Sequence, residues 1–105
     1  MDLLAERDKP AYTGVAAAFN YSNINSDLAF QGDYAFSGNY RGFGVYDVSD
    51  PAAPVLRTTV ECVGGQGDVS VHGDLLFMSV ESTSARVDCS TSTAQAVFRG
   101  VRIFD

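Results

Sequence analysis

The chain has 105 residues, enough for one modest core and too few for two ordinary domains. Its formal net charge is −6, from seven Lys+Arg against thirteen Asp+Glu, which argues against a nucleic-acid face and against docking on anionic lipid. Hydrophobic residues make up 46% and charged residues 19%, so the composition is globular, and no apolar run approaches the ~20 residues of a membrane helix.

Residues 1–26 read as an irregular N-terminal segment. Met1 is followed by Asp2, Glu6, Arg7 and Asp8, which is not the pattern of an export signal. The charged stretch from Asp2 to Lys9 reads as a short helix or a frayed tail that ends at Pro10. Val15 to Phe19 is apolar and Asn20 to Ser26 is turn-like. Asn20-Tyr21-Ser22 has the form of a glycosylation sequon, a triplet that also arises by chance.

From Asp27 the pattern changes to short strands. Leu28 and Phe30, then Tyr34 and Phe36, alternate with smaller or polar residues around a Gly32-Asp33 hairpin turn. Phe43 to Tyr46 is a third run, closed by Asp47-Val48-Ser49-Asp50-Pro51, in which Pro51 sets φ and Ser49 or Asp50 bonds the turn backbone. Val55 to Val60, rich in β-branched residues, is a fourth. Four short strands joined by tight turns make a β-meander.

The pattern then repeats. Asp27 to Phe36 lies over Asp68 to Phe77 at an offset of 41, with Asp, Gly, Asp and Phe recurring. Tyr40 to Asp47 lies over Phe98 to Asp105 at an offset of 58, so the second copy carries 17 additional residues in the Ser/Thr-rich stretch after Val80. A four-stranded repeat of about 40 residues is the mark of a β-propeller blade, and insertions within it map to loops. The expected fold is all-β: a partial propeller of about two four-stranded antiparallel blades. Residues 27–62 form the first blade and residues 63–105 an incomplete second, with a long inserted loop over 81–97. The chain then supplies part of a longer protein, or must assemble to close its sheets.

Tyr34-Ala35-Phe36 followed by Gly42-Phe43-Gly44-Val45-Tyr46-Asp47-Val48-Ser49-Asp50-Pro51 resembles the LVIVD repeat of bacterial β-propellers. Asn25 to Phe30 and Gly64 to Val71 are similar to segments of the secreted branch of that family. The resemblance covers about residues 23–105. It implies an extracellular or cell-surface propeller with no assigned activity, and an export signal upstream of Met1.

The thiols are Cys62 and Cys89, too few for a closed Cys-only zinc site, and His72 completes no familiar spacing with them. Two half-buried free thiols or one disulfide remain. The loop-like surroundings favour the disulfide, and with it an oxidising compartment.

Several constellations invite a chemical reading. Gly64-Gly65-Gln66-Gly67 is followed by a strand rather than a helix, so it reads as a bend between blades and not as a phosphate cradle. Asp68, Ser70 and His72 alternate along one strand, but same-face neighbours lie about 6.5 Å apart, too far for a Ser–His bond. Asp27 and Asp68 recur at the start of each blade's first strand. They are weak candidates for a cation in a central channel, against turn capping or a bond to the neighbouring blade's backbone. Asp47 and Asp105 read as turn acids. Glu61 and Glu81 sit at strand ends with nothing to pair them for glycoside chemistry. Phe30, Phe36, Tyr46, Phe77 and Phe104 read as core.

The expectation is therefore a non-enzymatic binding or scaffold module of a secreted or cell-surface propeller, without catalytic residues or cofactor. Its partners would be a protein or glycan ligand and the other blades of the same protein, with neither nucleic acid nor membrane insertion. The rival is a propeller enzyme or a divalent-cation-dependent ligand-binding propeller whose site lies in the channel.

Overall fold

The computed structural model describes residues 1–8 and 24–105. Residues 1–8 hold no helix or strand. Pro10, the Val15–Phe19 stretch and the Asn20 sequon lie outside the described residues. Four strands, β1 (Asn25–Gln31), β2 (Tyr34–Asn39), β3 (Gly42–Asp47) and β4 (Val55–Glu61), form one antiparallel sheet in chain order. Strand β1 starts at Asn25, inside the stretch read as irregular. A register shift between Asn25 and Asp27 lets Asn25 pair with Asn39, so pairing runs past the alternating residues that mark the strand in the sequence.

A second sheet holds β5 (Val69–His72), β6 (Leu75–Val80) and β7 (Gly100–Phe104). It has three strands, as expected of an incomplete second copy, so the two sheets have four and three. The repeat is visible in the backbone. Gly32 and Gly73 take φ of 55° and 57° at the first central position of equivalent two-residue hairpin loops. That left-handed conformation suits glycine, and it gives the turn the twist the flanking strands need.

Between the sheets the chain bends through Gly64 to Gly67. Gly65 and Gly67 have positive φ, as a sharp bend requires. Here the Gly67 carbonyl presses so close to Gly38 of β2 that a Cβ at position 38 would collide with it. Glu81 fastens the bend: its carboxylate accepts the Gln66 N–H at 2.6 Å, and its own N–H donates to the Gly64 carbonyl at 2.9 Å.

The inserted stretch 81–97 is folded back on itself. Arg86 and Val97 form an isolated bridge, Phe98 N–H donates to the Ala85 carbonyl, and Ala85 is fully buried. Cys89, in this stretch, is bonded to Cys62 at the end of the first sheet, with Cα atoms 4.4 Å apart.

The core lies between the sheets. Strand alternation and pairing place Ala29, Phe36, Phe43, Val45, Thr58 and Val60 on one face of the first sheet. Against it the second sheet sets Val69, Val71, Leu76, Met78, Val80 and Phe104. Met78 and Cys62 are fully buried, and Phe43 meets Phe104 edge-to-face with centroids 5.1 Å apart. Of the aromatic residues expected in the core, Phe36 and Phe104 pack against it. Phe30, Tyr46 and Phe77 are corrections: Phe30 and Tyr46 both pair with Ala35 on the opposite face of the first sheet, where Phe30 is 65% exposed, and Phe77 pairs with Ile103 on the opposite face of the second.

Closing a loop of 27 positions, the disulfide stabilises the fold by about 3–4 kcal/mol on chain-entropy reasoning. Intact mass after alkylation without reductant should show no labelled cysteine. Reduced protein should unfold at a lower urea midpoint. Two alkylated cysteines before reduction would contradict the pairing.

Candidate functional site

Three places carry polar or concave chemistry. The first is the junction where β1 lies against β5. Asp27, placed there by the β1 bulge, is used twice. One carboxylate oxygen accepts its neighbour Leu28 N–H at 2.9 Å, and the other accepts Val69 N–H of β5 at 3.1 Å. Of the readings open for this residue, the bond to the neighbouring sheet's backbone is the one the fold makes. Asp68 is exposed, and its backbone carbonyl accepts Ser79 N–H at 2.9 Å. Among the described residues no group of three or more His, Cys, Asp or Glu is placed to hold a metal.

His72 ends β5 opposite Leu75 and is exposed. Among the described residues no hydrogen bond joins it to Ser70 or Asp68. Its counterpart Gln31 reaches across the junction and donates from Nε2 to the Gly73 carbonyl at 2.6 Å. The inner ends of the sheets are thus tied by two side-chain-to-backbone bonds, from Asp27 and Gln31.

The second place is an apolar cleft of ≈ 350 Å³ between the sheets, walled by Phe36, Val45, Thr58, Val60, Leu76 and Phe104, with Asp74 and Asp105 at its rim. It opens where β4 faces the free edge of β7. Ligand pockets of this size are mostly apolar with a few polar groups that orient the guest. Asp105, expected as a turn acid, stands at this rim.

The third is the turn after β3. Asp47 accepts Ser49 N–H at 3.0 Å and Ser49 Oγ–H at 2.7 Å, and Arg57 closes on its other oxygen at 2.6 Å. Asp50 accepts Ala52 N–H at 2.9 Å. The hydrogen bond from the Ser49 side chain, then Arg57, hold the Asp47 carboxyl at a pKa of about 2. These acids shape a turn, as their sequence context suggested. Glu61 is likewise spent, on an ion pair with Arg41.

Sequence reasoning missed Arg102. It lies on the buried face of β7, where its guanidinium donates to the carbonyls of Cys62, Val63 and Arg86 and rests on the Phe98 ring, 5.4 Å from its centroid. Burial pulls its pKa down from the ordinary arginine value. The signal was present: Arg102 falls where the first repeat has Gly44, an arginine among strand residues at an inward position.

Residues 24–61, which are the first sheet from its edge through β4, match the LVIVD repeat family model. Over these residues the chain is similar to an LVIVD repeat. The second sheet repeats its strand order and turn geometry without being part of that match. No curated protein and no solved structure matches the chain.

The depressed pKa of Asp47 has a pH signature. A carboxyl whose pKa falls from 3.8 to about 2 on folding contributes stability that is complete above pH ~4 and is lost as pH falls toward 2. Melting temperatures of the wild type and Asp47→Asn should therefore differ most at neutral pH and converge between about pH 4 and 2. A difference that stays constant over that window would contradict the assignment.

Proposed function

We propose that this chain is a non-enzymatic binding or scaffold module of an extracellular or cell-surface LVIVD-repeat β-propeller, in which each sheet is one blade. The observation that carries the reading is how the polar repeat residues are used. Asp27, Gln31, Asp47, Asp50, Glu61 and Glu81 each bond a turn, a strand or the adjoining sheet. Each has a structural task that requires no substrate.

The propeller part of the reading is supported by the way β1 and β5, the first strands of the two repeats, run side by side while the sheets fan outward from them. The extracellular part is supported by the Cys62–Cys89 bond, since disulfides persist in oxidising compartments. A protein or glycan is the expected ligand class, and an acidic chain without a basic face fits neither nucleic acid nor anionic lipid.

The test pairs binding with turnover. Immobilised oxidised protein is offered glycan and purified surface-protein panels, and the same protein is assayed on chromogenic ester, phosphate and glycoside substrates with and without millimolar calcium. Saturable binding without turnover is the expected result, with a melting temperature indifferent to calcium. Turnover, or a calcium-induced rise in melting temperature, that disappears in Asp27→Asn with Asp68→Asn would replace the module with a channel-sited enzyme or cation-dependent binder.

A further inference from the structure

We infer that the Cys62–Cys89 bond is a redox-sensitive latch on the inserted stretch, which a small thiol opens to release residues 88–95 while both sheets stay folded. The insertion is built in two parts. Its neck is fixed without the disulfide. Val87 N–H donates to the Ala96 carbonyl and Phe98 N–H to the Ala85 carbonyl, both at 3.2 Å. Arg86 and Val97 form a bridge, Arg102 donates to the Arg86 carbonyl, and Ala85 is fully buried.

The tip, residues 88–95, is held differently. Among the described residues, every hydrogen bond it makes stays inside the insertion. Cys89 N–H donates to the Arg86 carbonyl, Ser90 N–H to the Asp88 carboxylate, Ala94 N–H to Ser92 Oγ, and Arg86 Nε–H to the Ser92 carbonyl. Residues 91–95 are exposed. Cys89 fastens the tip to the rest of the molecule, since it packs against the core and is bonded to Cys62.

The same residue carries backbone strain. Among the described residues Cys89 is the one non-glycine with a positive φ, 62°. A side chain holds that left-handed conformation at a cost, so it persists only where the surroundings impose it. Here the bond to Cys62 imposes it. The other end of the bond tolerates opening. Cys62 is fully buried, Arg102 binds its carbonyl, and a neutral thiol packs as a small apolar group. Opening the bond therefore relaxes the tip and leaves the core and the neck in place.

The incoming thiolate attacks Cys89, because Cys62 has no solvent access. A bond forms to Cys89 Sγ, the S–S bond breaks, and Cys62 leaves as a thiolate that takes up a proton. A second thiolate attacks the outer sulfur of the mixed disulfide, and Cys89 leaves in turn. Two thiols are oxidised to one disulfide, and their two protons end on Cys62 and Cys89. The latch is independent of what the module binds.

Amide NMR spectra of the oxidised full chain, and of the same chain in millimolar dithiothreitol, test the inference. On reduction the signals of residues 88–95 should move to the positions of unstructured chain. Those of Val45 in β3, Met78 in β6, and Ala85 and Phe98 at the neck should stay. Cys89→Ala should give the reduced spectrum without reductant, and Cys89→Ser repeats that arm if Cys89→Ala loses its strand circular dichroism. Loss of the sheet signals on reduction overturns the inference, because the bond would then hold the fold and not the tip. So do tip signals that do not move, and so does a bond that stays intact in dithiothreitol. Acid-quenched reaction with glutathione should place the mixed disulfide on Cys89, and finding it on Cys62 overturns the order of attack.

Discussion

Everything in this fold depends on one seam. Neither sheet can bury an apolar face alone, since a three- or four-stranded antiparallel sheet covers nothing by itself. The two are set face to face, with Phe43 and Phe104 in contact and Met78 and Cys62 without solvent access. A chain of 105 residues has little other apolar area to bury, so the seam supplies most of what holds it together.

The seam is also pinned from outside the strands. Cys62 ends the first sheet, and the inserted stretch comes to it through Cys89. Arg102 donates to the carbonyls of Cys62, Val63 and Arg86, so one side chain of β7 joins the bend, the insertion and the second sheet. A buried guanidinium without such partners would be costly, and here carbonyls of irregular backbone satisfy it. At the opposite end Asp27 and Gln31 tie β1 to the second sheet. These side chains are thus committed to holding two repeats in a fixed relation.

Much of this was legible in the residues. The Gly32 and Gly73 turns, the Asp47-to-Pro51 closure and the alternating strands were readable because turn chemistry and pleat are local. The cysteine pairing was readable because there was one partner to choose. Other features were not. Alternation says that Phe30 and Ala29 face opposite sides but not which side is covered, so Phe30 was placed in the core and is exposed. Strand β1 reaches Asn25 because pairing continues past a bulge that leaves no periodic trace. The bonds of Arg102, Gln31 and Asp27 join residues about 40 positions apart, a side-chain-to-backbone reach that no spacing rule encodes. The repeat offset itself carried the useful hint, since an arginine replacing Gly44 and a histidine replacing Gln31 mark where the copies differ.

The central claim is that the two sheets are one cooperative unit because they share a single core. Native-state hydrogen exchange on the oxidised chain tests it most directly. The slowest amides of β3, around Val45, and of β6, around Met78, should exchange with the same free energy and the same denaturant dependence, equal to those of global unfolding. If β6 opens at markedly lower free energy while β3 stays protected, the second sheet is an appendage and the shared core does not hold the fold.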